Sequence, residues 1–310
     1  MRRFKNPVRH KKGGQMRLII LSLVLFAFWG CAPTLDDLTP SVLPPFVANL
    51  NSQEYEIVED SDFNKGFFNF HRSLNTKTYG YLAINDPTGY APVSVVERFE
   101  VRPGDCGQEM GWSDCKNDRE RSELSEDALS YPNEEGETWW YGWHMFVPED
   151  YPNIYPAKVA LGQFHQLNGR NPAFMFQNHK GGLWLDNQLT KRYYPLISES
   201  DLRGRWHKIE VHAHWSRSRD GFFKVWVNGG QKVNIKGHTL SDKTSYFKYG
   251  IYRSFLSRSF HHPAQTVYYA NVRKHRSREG LLPKEGFYPE FADPSKKYVE
   301  EKKVWSRQGR

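Results

Sequence analysis

The sequence has only three cysteines among 310 residues, and its longest apolar run, residues 18–29, covers just twelve. A membrane-spanning helix needs about 20 apolar residues, so this run is too short to predict a transmembrane segment. The sequence also lacks a long amphipathic helical pattern, an internal repeat and a low-complexity tract. These absences argue against helical and repeat architectures.

Acidic residues are absent from residues 1–30, so the basic residues there are not balanced and account for most of the net charge of +8. Seven of the 43 Lys and Arg residues lie within residues 1–30, which contain no Asp or Glu. The remaining 36 basic residues almost balance the 35 acidic ones. This balance disfavours a nucleic-acid partner, and any attraction of a polyanion must come from a local groove.

Residues 1–30 are predicted to be a signal peptide, because a basic stretch precedes the short apolar core. Met16 is an alternative start. Gly30-Cys31 resembles a bacterial lipoprotein processing site, which predicts lipidation of Cys31 and membrane anchoring in the cell envelope. Simple secretion is the alternative.

The rest of the chain divides into three predicted parts. Residues 31–55 are expected to be a tether, residues 56–290 the folded domain, and residues 291–310 a charged tail. Cys106 and Cys115 lie nine positions apart in a Gly/Asp-rich loop, a spacing that favours a disulfide in an oxidising compartment. A metal site there is disfavoured, since no second Cys or His pair has ligand spacing nearby.

Short alternating or aromatic runs separated by Gly, Pro and Asn predict an all-β fold, a β-jelly-roll sandwich of two antiparallel sheets with a concave groove. Aromatic residues make up 15% of the chain, which favours a strand-rich protein with a carbohydrate ligand. Phe222–Val227, Asn228-Gly229-Gly230 and residues 231–235 predict a hairpin. The clearest predicted strands are 139–147, 158–166, 173–178, 206–215, 222–227, 247–253 and 266–273.

Three stretches carry residues suited to chemistry. In 118–124, strand alternation places Arg119, Arg121 and Glu123 on one face, with Arg121 and Glu123 able to pair. In 163–165, Gln163 and His165 share a face. Each stretch alone has an ordinary explanation, such as a surface ion pair or a structural histidine.

The third stretch, 246–252, places Tyr246, Lys248 and Tyr252 on one face. Gly250 lies between the last two and is expected to leave room for something to lie against the backbone. Tyrosines on strands are commonly packing residues, so this stretch also needs the other two before it indicates a site.

Together the stretches suit elimination from a uronic acid. Removal of the C5 proton builds negative charge on the carboxylate, which Gln163 and Arg121 can stabilise as donors. Neutral His165 or a deprotonated Tyr252 can act as base, and the Tyr252 phenol can protonate the departing O4. Lys248 can lower the tyrosine pKa or bind substrate. No metal or organic cofactor is required, although a structural calcium ion is compatible with such a sandwich.

The motifs Arg121-Ser-Glu-Leu124, Gln163-Phe-His165 and 246–252 occur in the order of three signature motifs of the jelly-roll alginate lyases. The chain over roughly 95–275 more closely resembles the glucuronan lyase and heparin lyase I-like group of polysaccharide lyases. The resemblance implies that Arg121 and Gln163 bind the carboxylate, and that His165 and Tyr252 transfer protons. The additional substrate-binding candidates are Lys248, Arg119, Tyr246 and His214.

The predicted function is therefore a polysaccharide lyase that cleaves a 4-linked uronate polysaccharide by β-elimination. Glucuronan, alginate and a glycosaminoglycan-like chain remain open as substrates, as do endo and exo cleavage. A glycoside hydrolase is one alternative, but the motifs do not offer two acidic residues at a defined separation. A non-catalytic carbohydrate-binding protein is the other, and it would not need a proton-transfer pair.

Overall fold

The computed structural model describes residues 43–48, 50 and 70–283, apart from 75–76, 110, 127, 130–131 and 169–170. The predicted signal peptide, Cys31 and the charged tail lie outside the described residues. Within the described residues, no helix is long and apolar enough to cross a membrane.

Two antiparallel sheets form a jelly-roll sandwich, which confirms the predicted fold class. The first sheet has the order β1 (Phe70–Arg72), β6 (Arg119–Glu126), β16 (Thr244–Ser254), β9 (Lys158–Gln166), β10 (Phe174–His179), β11 (Gly182–Asn187), β12 (Arg192–Ile197), and β7 (Asn133–Glu134) also pairs with β16. The second sheet has the order β15 (Gly230–Lys236), β14 (Phe222–Val227), β13 (Arg205–His214), β8 (Thr138–Val147), β17 (Gln265–His275), β3 (Val95–Val101), β2 (Tyr81–Asn85).

The remaining elements are short. Among the described residues they are a ribbon of β4 (Gln108–Glu109) and β5 (Trp112–Ser113), the helix α1 (Glu199–Leu202), and the 3₁₀ turns Thr78–Gly80, Cys115–Asn117, Leu256–Arg258 and Glu279–Leu281.

Side-chain alternation explains why the predicted segments form strands. In β13, Ile209, Val211 and Ala213 are fully buried in the core, whereas His212 and His214 project from the opposite face. All seven predicted strands are present, with ends that differ by at most three residues. The predicted hairpin is β14–β15, where Asn228 and Gly229 both have positive φ angles, 50° and 83°. Asn-Gly tolerates this conformation, and the resulting turn matches the twist of the strands.

Aromatic side chains fill the space between the sheets. Phe164 is fully buried and contacts the rings of Tyr141, Trp215 and Phe247 at centroid distances of 4.8, 5.2 and 4.9 Å. Truncating such a residue to Ala costs about 3–5 kcal/mol of stability, because the neighbours cannot close the cavity. The core therefore fixes the strand that carries Gln163 and His165 on its other face.

Part of the predicted tether is docked on the domain. The Val47 amide donates to the Gly204 carbonyl at 2.6 Å, and Arg205 Nη1 donates to the Pro44 carbonyl at 2.5 Å. The Arg205 guanidinium also lies 5.0 Å from the Phe46 ring centroid. Val47 and Leu50 also pack against the apolar residues on the outer face of the second sheet.

Candidate active site

Strand β16 lies between β6 and β9, and its register brings the three sequence motifs together. Tyr252 pairs with Arg121 on β6. On the other side, Lys248 pairs with Gln163 and Tyr246 pairs with His165. These side chains share the outer face of the first sheet, since the alternating residues Phe247 and Tyr249 point into the core.

Gly250 has a different role from the one expected. Its φ of 122° is unfavourable for other residues, and an added Cβ would lie 2.3 Å from the Ser122 carbonyl oxygen and 2.7 Å from the Phe99 ring. The neighbouring protein atoms, rather than a ligand, require glycine. A bulge in the β16–β9 pairing begins here, between Tyr249 and Tyr252.

The Glu123 carboxylate is the centre of the hydrogen-bond network at this site. Oε1 accepts from Gln163 Nε2 at 2.6 Å, and Oε2 lies 3.0 Å from Lys248 Nζ and 3.3 Å from Arg121 Nη1. Only 3% of Glu123 is exposed. One buried carboxylate thus orients the donors that come from three different strands.

Arg121 is held by a second buried carboxylate. Its Nε donates to Asp114 Oδ2 and its Nη2 to Asp114 Oδ1, both at 2.6 Å, and Nη1 donates to Ser73 Oγ at 3.2 Å. Asp114 is next to Cys115, which forms the predicted disulfide with Cys106 at a Cα–Cα distance of 5.1 Å. The disulfide-closed loop therefore delivers Asp114 to the site.

Two cations and two carboxylates balance one another in this cluster. Lys248 is almost fully buried, and burial lowers its pKa, while the neighbouring Glu123 opposes that change. Lys248 Nζ also donates to Ser73 Oγ at 3.0 Å. Together with Arg121 and Asp114, these ionised groups sum to no net charge, which makes their burial tolerable.

His165 has a defined tautomer. Its Nδ1 lies 2.9 Å from the Gln166 carbonyl oxygen, which can only accept, so Nδ1 carries the proton and the Nε2 lone pair is left for another donor. Burial and the nearby Lys248 charge lower the pKa of His165 to about 4. The imidazole is therefore neutral at ordinary pH, as a general base must be.

Tyr252 stacks with the Arg121 guanidinium, whose carbon lies 4.4 Å from the ring centroid. Burial raises the pKa of Tyr252, and the charges of Arg121 and Arg119 oppose the shift. The phenol is therefore protonated at neutral pH and suited to donate a proton. Burial also raises the pKa of Tyr246, to about 12.

Two predicted substrate-binding residues are placed differently from this cluster. His214 lies on the outer face of the second sheet, where Nδ1 is 2.8 Å from Thr138 Oγ1, so its assignment to the same groove needs correction. Alternation assigns a residue to a face but does not say which sheet carries it. Arg119 lies at the start of β6, and its guanidinium packs 4.1 Å from the Phe255 ring at the edge of the cluster.

Sequence reasoning missed Asp114 and Ser73. Neither belongs to a motif, and Ser73 reaches the cluster from the end of β1, 48 residues before Arg121. The proximity of Asp114 to a predicted disulfide was the only available signal. Within the described part of the chain, no three His, Cys, Asp or Glu side chains are grouped to hold a metal ion.

The family model described as "Polysaccharide lyase" matches residues 64–273, more than half of the chain. The chain belongs to this family. The enzyme is thus a polysaccharide lyase, which confirms the enzyme class and family expected from the motifs. No curated protein matches the chain.

Solved structures similar to this lyase are distant. The endo-β-1,4-glucuronan lyase of the fungus Trichoderma reesei is 16% identical, with a TM-score of 0.48 over 80% of this chain and 100% of that one. An alginate lyase from Corynebacterium sp. is 17% identical, with a TM-score of 0.45 over 66% and 92% of the two chains. The cellulose-induced protein Cip1 is 11% identical, with a TM-score of 0.44 over 70% and 96%. These distant similarities carry no argument about the substrate.

Proposed function

We propose that this lyase cleaves a 4-O-linked uronic-acid polysaccharide by β-elimination, with His165 as the base and Tyr252 as the acid. The observation that carries the proposal is the register of β16, which brings His165 and Tyr252 to the same face of the first sheet as the donors Gln163 and Lys248. His165 has a lone pair on Nε2 and a lowered pKa, whereas the pKa of Tyr252 is raised. One group is ready to accept a proton and the other to donate one, as elimination requires.

In the proposed reaction, His165 Nε2 takes the C5 proton and the electron pair of the C5–H bond forms the C4–C5 double bond. The C4–O4 bond breaks, and Tyr252 donates its phenolic proton to this glycosidic oxygen, which leaves as the anomeric hydroxyl of the departing sugar. The products are a new reducing end on one fragment and a 4,5-unsaturated uronate at the non-reducing end of the other. Solvent returns the protons of both side chains to their starting positions.

The charge that develops on the uronate carboxylate needs donors fixed in advance. Gln163 donates one amide N–H to Glu123, and the proposal assigns its second N–H to the substrate carboxylate. Lys248 is held beside it by the same Glu123. Because the nitrogens Nε, Nη1 and Nη2 of Arg121 already donate to protein groups, its proposed contribution is mainly electrostatic, through the field at the substrate and under the Tyr252 ring.

We further propose that the enzyme is exported and anchored by a lipid on Cys31. The basic, then apolar, pattern before Cys31 supports export, and the Cys106–Cys115 disulfide suits an oxidising compartment. Metabolic labelling with a radioactive fatty acid tests the anchor. Label should enter the full chain and be absent from a Cys31→Ser variant.

The proposed reaction is tested by incubating the purified enzyme, without residues 1–31, with glucuronan, alginate and heparin-like chains. Growth of the ultraviolet absorbance of the 4,5-unsaturated uronate on one of them supports elimination and identifies the substrate class. New reducing ends without that absorbance would instead mean hydrolysis and contradict the proposal.

A further inference from the structure

A cluster of aromatic side chains lies beyond the active-site motifs, on strands β10 to β12 of the same sheet and in the turn before β9. His179 of β10 stacks on Tyr193 of β12 with ring centroids 5.0 Å apart and an interplanar angle of 27°. The edges of Tyr155 and Trp184 approach the same imidazole at 5.2 and 5.6 Å. We call His179, Tyr193, Tyr155 and Trp184 the distal aromatic cluster.

The distal aromatic cluster is open to solvent. Tyr155 is 47% and Tyr193 37% exposed. The cluster therefore adds little to the core, which lies on the other face of the sheet. Exposed aromatic rings combined with polar groups are typical of surfaces that bind sugars and other ring-shaped ligands.

Positive charge accompanies the rings. Lys158 Nζ donates to the Tyr193 hydroxyl at 3.2 Å and lies 3.8 Å from the buried Asp186 carboxylate. The turns on either side of β11 and the start of β12 add exposed cations at Lys180, Lys191 and Arg192. Lys180 and Lys158 both act electrostatically on the His179 imidazole, and Asp186 opposes them. These cations beside the rings favour an acidic ligand.

Cross-strand register connects the cluster to the active site. Tyr252 pairs with Ala160, Ala160 with Gln177, and Gln177 with Trp184. Trp184 is thus three strands from the proposed acid, about 14 Å at the usual strand spacing. One glycan crossing the outer face of the first sheet would meet both places.

We propose that the distal aromatic cluster and Lys158 form a remote sugar-binding subsite for the acidic polysaccharide, several sugar units from the bond that is cleaved. The rings pack against the pyranose faces, and the ammonium group of Lys158 pairs with a uronate carboxylate. The identity of the bound chain rests on the proposed function. The subsite itself is a binding surface and requires no chemistry there.

The test uses a Tyr155→Ala/Tyr193→Ala double variant and a Tyr90→Ala control. Tyr90 is 56% exposed and lies in the loop between β2 and β3 of the second sheet. It is therefore an exposed tyrosine that lies away from the distal aromatic cluster. Binding is measured by electrophoresis through gels that contain glucuronan, alginate or a heparin-like chain. All proteins carry Tyr252→Phe so that the polymer is not degraded.

The parent and the Tyr90→Ala protein should be retarded in at least one gel. The apparent affinity of the double variant for that polysaccharide should be at least about tenfold lower, because ring stacking is lost at two positions. Equal retardation of the double variant and the parent would overturn the subsite. Absence of retardation of the parent in all three gels would also overturn it.

A kinetic arm then uses the catalytically intact background. The double variant should raise KM for the long polymer about tenfold with little change in kcat, because remote binding energy is lost. KM for a trisaccharide, too short to reach the cluster from the cleaved bond, should stay unchanged. Equal effects on both substrates would contradict the proposal. The two proposals can fail separately. If the double variant loses gel retardation but the catalytically intact enzyme makes no unsaturated product, the proposed reaction is rejected and the subsite is retained.

Discussion

Asp114 binds both Nε and Nη2 of Arg121, each at 2.6 Å, within a region closed to solvent. The Arg121 guanidinium stacks with the ring of Tyr252, the proposed acid. Asp114 therefore influences the position of Tyr252 through Arg121. Trp112 Nε1 donates to the same carboxylate at 2.8 Å, and the adjacent Cys115 is fixed by the disulfide. Asp114 is therefore a positioning residue whose own placement depends on the loop.

Asp114→Asn should lower the free energy of unfolding by about 3 kcal/mol, because Arg121 loses the buried negative charge that pairs with it. The displaced guanidinium should also lower kcat, without an equal change in KM. Urea unfolding and initial rates measure both effects. Glu135→Gln breaks the exposed pair with Arg217 and serves as control, with both quantities expected to stay unchanged. An Asp114→Asn protein with wild-type stability would contradict the role.

Tyr252→Phe should reduce kcat by about 10²- to 10⁴-fold, the usual contribution of a positioned general acid. Folding and glycan binding should persist, since the ring still stacks on Arg121. Tyr246→Phe, on the same strand and face, is the matched control and should change KM more than kcat. Near-equal loss of kcat in the two variants, or lost glycan binding by Tyr252→Phe, would place Tyr252 among the substrate-anchoring residues.

The pH dependence of kcat/KM should show an acidic limb near pH 4. Only the neutral imidazole of His165 accepts a proton, and its pKa is lowered to about 4, so activity is retained at pH 5–8 and lost as the pH falls through that value. Lys248→Gln removes one of the causes of the lowered pKa and should move the limb to higher pH. A wild-type limb near the ordinary histidine value would show that the pKa of His165 is not lowered in the folded enzyme. A His165→Ala enzyme with almost full activity would exclude His165 as the base.

Glu97 should make the fold less stable at pH 7 and above than at pH 4.5. Its carboxylate is fully buried and accepts from Tyr249 and Tyr81, yet Oε2 has no hydrogen-bond partner among the described residues, and burial raises its pKa from 4.5 to about 7. The unfolded chain ionises first, so stability falls between pH 4.5 and 7, by about 3 kcal/mol in total, and the deficit persists above pH 7.

Glu97→Gln should remove this dependence. The variant should unfold at a higher urea concentration than the wild type at pH 8, and the two should differ little at pH 4. An exposed carboxylate, Glu109, provides the control substitution to Gln, which should leave the pH profile unaltered. A wild-type profile that is flat between pH 4.5 and 7 would show that Glu97 ionises freely in the folded protein.

The local pattern of the sequence determined the strands and the faces of their side chains. Alternation is a property of a few consecutive residues, so Phe164 could be assigned to the core and Gln163 and His165 to the opposite face without knowledge of the neighbours. The Asn228-Gly229 turn is local for the same reason, since only two residues need positive φ angles.

Only the tertiary structure decided which strands are neighbours. β16 enters between β6 and β9, so Tyr252 pairs with Arg121 across a sequence separation that no local pattern encodes. The tertiary structure also decided the position of His214. Its side chain points to an outer face, as alternation predicts, but that face belongs to the second sheet. The placement of Asp114 at the active site and the assembly of the distal aromatic cluster also depend on contacts between residues far apart in the sequence. Their roles come from long-range pairing, which the burial of both sheets' inner faces selects for the whole domain at once.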